Sequence, residues 1–533
     1  MTDRRAIGYL CAIGAVGMLL TMLVAVMIRW DDSNPVVACL WVGGLFLLLL
    51  NVAYMLVMWV CSFFVALVRL PETDLEVIPS TAILYVVKNE GPTLRERMVE
   101  TFVHNQGPNV HLWLISNSDD PTVVAWEEEM IAGLQQQFGE GAVLRYEPHD
   151  NPLGRKHVAL RQWSRDHPEY SYMMVCDADT VLARGAVARL AAKAEHPDNR
   201  HFAVFQAHLA IRWSTTRFAR YLEPGQNVVQ KAFCRVNQHM LGRSPFYGHA
   251  ALIRRTALAR VDVPDRVLSH DLWDAVELDR AGGATAFCED VEAYEMLPSD
   301  YLEFRRRNRR WILGNLEALP LLFVRGLSAG GRFYVFVAIF MYLVQPVLLL
   351  WVLLGLLAHN QLSGSLIATQ SVLLGGASVV DLEMSGVCVA TIGFVWLHKL
   401  RFAGSAREVA VLAREVLITT ALLLNGLFYD SVVILLSPWL DRSWRPMAKR
   451  SSRDLRFAEC FAEMLPSTCF GAVLLAVGVL IAPKWALLTS PILASFLLGS
   501  VFVYTTAKDG GATPLLSRDQ WDPVEGPQAV EPT

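Results

Sequence analysis

Tyr172-Met-Met-Val-Cys-Asp-Ala-Asp179 is the stretch on which the reading of this chain turns. Five apolar residues in a row, with β-prone Tyr and Val among them, describe a short strand buried on both faces. The run stops at two carboxylates one residue apart. At a strand end, Asp177 and Asp179 can both reach one divalent cation, a hard ion that takes oxygen ligands and neutralises phosphate charge. An Asp-x-Asp tripeptide alone is equally a solvated turn. Its place after a buried strand favours the cation.

Outward from this strand the pattern is α/β. Ser80–Val87 (STAILYVV) and Val110–Ser116 (VHLWLIS) are two more short β-rich runs. Helical stretches at Thr93–Phe102 and Val123–Phe138 alternate with them. Such alternation predicts a mostly parallel sheet with ligands at the carboxyl ends of its strands.

Four further motifs bear on chemistry. Ser269-His-Asp271 precedes a helical pattern, LWDAVELDRAGG. An aspartate there is a helix cap in one reading and, in the other, a base that takes a proton from an acceptor hydroxyl. His270 is the alternative base. The basic run Arg305-Arg-Arg-Asn-Arg-Arg-Trp311 leads through an amphipathic stretch to an apolar span. It is either a headgroup-facing surface or a place where Arg310 holds a diphosphate and Trp311 stacks on a ring. Lys156 could pair with phosphate or be an ordinary exposed lysine. Phe246-Tyr-Gly-His249 is a glycine-flanked aromatic turn that either contacts an acceptor or packs as a loop.

Composition sets this domain in a membrane. Of 533 residues, 53% are hydrophobic and 18% charged, and the mean hydropathy is +0.33. The net charge of −4 gives no reason to expect a nucleic-acid partner. The nine cysteines have no CxxC spacing, so no zinc site or disulfide framework is expected. Apolar runs at Ala6–Ile28 and Pro35–Val68 are each long enough to span, and the first is too long for a cleavable signal. Arg4, Arg5 and Arg69 place the N-terminus and the polar middle in the cytoplasm, with residues 31–34 outside.

After the middle come a span at Phe333–Ala358, an outer loop at His359–Glu383 and a short span at Ser385–Leu397. A hairpin follows at Leu465–Ile481 and Trp485–Tyr504. Val416–Ser437 is apolar enough to cross, but Arg442, Arg445, Lys449, Arg450, Arg453 and Arg456 come after it. Crossing once would put them outside, so the segment is expected to lie in the interface or dip and return. Asn425 and Asp430 within it then have a buried polar role. The expected division is 1–69, two spans; 70–304, the α/β domain; 305–332, an interfacial segment; 333–506, a membrane region with a cytoplasmic loop at 438–464; and 507–533, a disordered tail.

The segments AILYVVKNEG (82–91), SYMMVCDADT (171–180), FYGHAALIR (246–254), VLSHDLWDAVELDRAGG (267–283), YEMLPSDYLEF (294–304) and RRNRRWILGNL (306–316) occur in this order. Together they resemble the membrane-integrated family 2 glycosyltransferases, which include cellulose and hyaluronan synthases. Within these the chain is most similar to the bacterial glucan biosynthesis glucosyltransferase H family, from about Thr81 to Ala462. The resemblance implies a GT-A fold, UDP-glucose as donor, Mg2+ or Mn2+, inverting transfer to a β-linked glucan and a transmembrane channel beside the site.

Carried over by position, Val87, Glu90, Asn117, Lys156, Asp177, Arg307, Arg310 and Trp311 contact the nucleotide-sugar. Asp177 and Asp179 hold the metal, and Asp271 is the base. Tyr247, Gly248, His249 and Trp311 meet the acceptor. Arg307, Arg310 and Trp311 fill a QxxRW motif in which Arg replaces Gln. Asn117 stands where an acid is usual, and Lys156-His-Val-Ala replaces a KSGN-like loop. Ser443-Trp444 resembles the family's cytoplasmic loop near the active site. The implied location is a bacterial inner membrane. The implied partners are the growing glucan, the bilayer, a periplasmic glucan-processing protein and acyl carrier protein. A single-transfer enzyme acting on a lipid-linked acceptor, another β-polysaccharide synthase and a non-catalytic carrier are the competing readings.

Overall fold

The computed structural model describes residues 2–26, 35–139, 143–149, 155–357, 405–442 and 455–510. The expected outer loop at 31–34, the loop and short span at 359–397, Ser443-Trp444 and the tail beyond 510 lie outside the described residues. At the centre is an eight-stranded sheet of order β3-β2-β1-β4-β7-β6-β8-β5. Its strands are β1 Thr81–Val87, β2 Val110–Ser116, β3 Leu144–Pro148, β4 Tyr172–Cys176, β5 Val181–Leu182, β6 Phe202–Ile211, β7 Ala251–Arg254 and β8 Ala284–Glu295.

One half, β3-β2-β1-β4, is parallel as expected. The other half is mixed, because β7 runs antiparallel to both β4 and β6. β6 therefore points the same way as β4, and β8 runs parallel to β6. The carboxyl ends of β1, β2, β4, β6 and β8 share one edge. This mixed α/β domain has the GT-A architecture. Helices Thr93–Asn105 and Pro121–Phe138 cover one face around Met98, Phe102 and Leu134. Helix Lys156–Asp166 covers the other around Leu160 and Trp163.

Helices long and apolar enough to cross a membrane flank the domain in sequence. Thr2–Val26 and Pro35–Phe64 precede it; Ala329–Leu357, Ala406–Leu436 and Phe457–Ile481 follow. The domain is pinned to the first pair. The Val68 amide donates to Glu289, which also pairs with Arg235. Lys193, 1% exposed, is held by Glu72 and Asp290. Losing either carboxylate would leave a buried cation incompletely paired, which is costly.

The second arm of the expected hairpin is broken into Pro483–Leu488, Ser490–Leu497 and Gly499–Thr506. Gly471 and Gly478 let it approach: a β-carbon there would lie 2.6 Å from Phe496 and 2.8 Å from Trp485. The segment expected near the interface is one 31-residue helix, Ala406–Leu436. It has the length to cross, yet residues towards both ends contact the α/β domain. Glu415 packs its carboxylate on Gly225 of the Arg217–Leu241 helix. Past the other end, Arg442 pairs with Glu317 at 2.7 Å and its carbonyl accepts from Arg155 at 3.0 Å. Asn425 and Asp430 are 2% and 9% exposed, as their expected buried role requires. Asn425 accepts from the Tyr301 hydroxyl, and Asp430 from Asn308.

Candidate active site

The Asp177–Thr180 turn leaves β4 at the shared edge. Thr180 donates its amide to the Asp177 carbonyl, the Thr180 hydroxyl accepts from the Asp177 amide, and Tyr85 caps the Thr180 carbonyl. Lys156, first residue of its helix, donates to the Asp177 carboxylate and, at 3.0 Å, to the Gly248 carbonyl. The ordinary exposed lysine is thereby set aside: Lys156 joins the aspartate turn to the 246–250 loop.

That loop is shaped by Gln206, which is fully buried. Its amide donates to the His249 and Ala250 carbonyls, and its oxygen accepts from the Tyr247 amide. Gly248 (φ +77°) and Ala250 (φ +49°) both lie in the left-handed region. A β-carbon on Gly248 would stand 3.3 Å from the Asp271 Cβ and 3.4 Å from the His270 ring. One face of the glycine thus meets Asp271, and its carbonyl takes the lysine that holds Asp177.

Asp271 lies in the first turn of helix His270–Arg280, whose N-cap is Ser269. Ser269 makes no side-chain cap bond and donates its hydroxyl to Asp271 at 2.5 Å. Capping is therefore not what occupies this carboxylate. His270 pairs with Asp274 at 2.7 Å and stacks on His157. Burial, and then the neighbouring His270, pull the His157 pKa down to about 4.

Helix Tyr301–Glu317 supplies the basic residues, with Asp300 as its cap. Arg307, Arg310 and Trp311 fall on one face at i, i+3 and i+4. Arg310 lies within electrostatic reach of Asp177 and Glu90, and Arg307 of Glu295 and Asp179. Burial lowers the pKa of both guanidiniums. Trp311 is 41% exposed, with the Arg307 guanidinium 4.4 Å from its ring centroid. Gly314 packs this helix on Ser269.

Two expected contacts turn elsewhere. The Tyr247 hydroxyl faces the Cys234 thiol at 3.2 Å, inside the fold. His249 sits on the aspartate side, 3.9 Å from Asp177 and 3.6 Å from Glu295. Val87 is 3% exposed and offers its carbonyl, which accepts from the Asn117 amide. Two acids were not anticipated. Glu295 ends β8 beside His249; burial raises its pKa, and His249 opposes the rise. Glu127 lies beneath Asn117, holding the Ser116 and Ser118 hydroxyls. Burial raises its pKa too. A lone Glu in a helix or strand pattern carries no local signal for either role.

Residues 172–396 match the glycosyl transferase family group 2. A glucans biosynthesis glucosyltransferase H of Bradyrhizobium diazoefficiens is 27% identical over 85% of this chain and 66% of its own length. Its counterpart in Vibrio cholerae is 28% identical over 57% and 44%, and one in Rhodopseudomonas palustris 29% over 48% and 37%. The chain thus spans between 37% and 66% of these relatives' lengths. Among solved structures, a mannosyltransferase from Pyrobaculum calidifontis in complex with GDP-Man and Mn2+ covers 72% of this chain and 97% of its own at 14% identity, with a TM-score of 0.46. Residues 172–396 thus carry the signature of a family 2 glycosyl transferase domain, and the chain is similar, over up to 85% of its length, to glucans biosynthesis glucosyltransferases H.

Proposed function

We propose that the chain is a processive, inverting glucosyltransferase that polymerises UDP-glucose into a β-glucan, probed first as a β-1,2 glucan, and passes it across a bacterial inner membrane. The observation that carries this is the Gly248 junction. Asp177 on the donor side is tied through Lys156 to the Gly248 carbonyl, and the bare face of that glycine meets Asp271 on the acceptor side.

On this reading Asp271 takes the proton from the acceptor hydroxyl as that oxygen attacks the anomeric carbon. Ser269 holds the carboxylate in position. Lys156 and Arg310 meet the departing diphosphate, and Trp311 stacks on the acceptor sugar. Val87, Glu90 and Asn117 line the nucleotide end, while His249 steadies the Asp177 side rather than the acceptor. A divalent cation, Mg2+ or Mn2+, would be held by Asp177 and Asp179. Two carboxylates suit an ion that completes its shell with phosphate oxygens and water, and it would neutralise charge on the leaving group.

Processive synthesis is supported by the membrane helix over the site. Tyr334 and Tyr342 of Ala329–Leu357 face Asp271 electrostatically, so an acceptor there lies at a helix that continues into the bilayer. The return of both ends of Ala406–Leu436 to the domain supports a helix that lines the interface, with the domain in the cytoplasm. A periplasmic glucan-processing protein and acyl carrier protein are the partners the family implies. Incubating purified protein with UDP-[14C]glucose tests the reading. Long product with resolvable linkage is expected; one transferred sugar per acceptor overturns processivity.

A further inference from the structure

The face of the Ala329–Leu357 helix that turns away from the active site walls a cavity of about 140 Å³. Phe333, Phe336 and Phe340 line one side, Gly14 a second and Asn51 and Tyr54 a third. We propose that this cavity holds an acyl chain of a membrane phospholipid.

Three observations carry this. The three helices that enclose it, Thr2–Val26, Pro35–Phe64 and Ala329–Leu357, are all long and apolar enough to cross a membrane, so acyl chains surround them. The lining is almost wholly apolar, and an apolar space of roughly 150 Å³ stays dry and takes an apolar guest. Exposed Arg4 and Arg5 lie at the start of the first helix. At 1.5 Å per residue, Leu10 and Gly14 are roughly 8 and 14 Å further along from Arg5. A phospholipid with its anionic headgroup at these arginines would carry its chain to the cavity.

A saccharide is disfavoured by position. Val335 and Ile339, on the opposite face of the same helix, pack on Leu272 and Val276 beside Asp271. The body of the helix therefore separates the cavity from the acceptor.

Gly14 supplies the test, because a β-carbon on it would meet no atom within 4 Å. Gly14→Leu therefore grows into the cavity. Gly8→Leu, equally open and outside the lining, is the control. Phe336→Trp fills the space from the facing wall. Each protein is reconstituted in vesicles of phosphatidylglycerol and phosphatidylethanolamine, re-extracted and weighed by native mass spectrometry. Wild type and Gly8→Leu should retain one phospholipid that Gly14→Leu and Phe336→Trp lose. Equal retention in either filled variant, with its melting temperature intact, overturns the proposal, as does retained mass in hexose increments. The readout is bound lipid, so its failure leaves the transfer reaction untouched.

Discussion

Gly314 lies so close to Ser269 that a β-carbon on it would stand 2.2 Å from the serine's own. The helix bearing Arg310 and Trp311 is thereby seated on the residue that bonds Asp271. Trp311 and Asp271 therefore cannot move apart independently. Gly314→Ala should cost about 1–3 kcal/mol of stability through overpacking. A misplacement of about 1 Å at the site can reduce turnover by about 10²-fold. Gly91→Ala, where a β-carbon meets nothing, should be nearly silent. Thermal unfolding and polymer synthesis on both variants decide it.

Asp271→Asn keeps the size of the side chain and its acceptance from Ser269 but removes basicity. General base catalysis contributes about 10²–10⁴-fold. Elongation should fall by at least the lower figure while UDP affinity changes little. Near-normal synthesis would move the base elsewhere, and His270→Gln would be the next variant to measure.

The aspartate turn gives a metal prediction. Asp179→Ala should abolish transfer, and EDTA should do so reversibly, with Mg2+ or Mn2+ restoring it. Undiminished synthesis in EDTA would remove the cation from the proposal and leave Lys156 and Arg310 to carry the diphosphate.

Trp439 is 78% exposed just past the Ala406–Leu436 helix. With Arg442 on Glu317, it should lie on the transferase side. In a background free of reactive native cysteines, Trp439→Cys should resist an impermeant reagent in intact cells and react in inverted vesicles. Labelling from outside would make the helix a true span.

His157 predicts a pH dependence. Its folded pKa of about 4 lies below the ordinary ~6.5 of an unfolded histidine. The folded chain thus holds this proton less tightly than the unfolded one. The contribution to stability is complete above the ordinary value and declines as pH falls from ~6.5 towards 4, by up to about 3 kcal/mol. His157→Gln should flatten that part of the melting-temperature profile; an unchanged profile would assign the loss to other groups.

The strands that read most clearly were β1, β2 and β4, because burial on both faces writes an unbroken apolar run. Asp177 and Asp179 stood out for the same reason, as charge where such a run ends. The mixed half was harder. β8 carries Glu289, Asp290, Glu292 and Glu295, which break any apolar run, and β7 has four residues. Its antiparallel placement depends on long-range pairing with β4 and β6 that no local pattern records. Glu295, Gln206 and the Gly314–Ser269 approach were hidden likewise, since each acts on partners dozens of residues away. Tyr247 carried an aromatic signature that suits a sugar and a core equally, and only packing against Cys234 separates the two. For Ala406–Leu436, hydropathy gives the length alone, and no local pattern records that Arg442 beyond it meets Glu317.

Tyr301 and Asn308 find their partners, Asn425 and Asp430, 124 and 122 residues further along the chain. A ribosome finishes the sheet and the basic helix well before it delivers those two. Until then Tyr301 and Asn308 lack these two partners, and the newborn domain has its sheet but no floor. The order of synthesis therefore closes this seam late: the basic helix can be locked in place only once Ala406–Leu436 has left the ribosome.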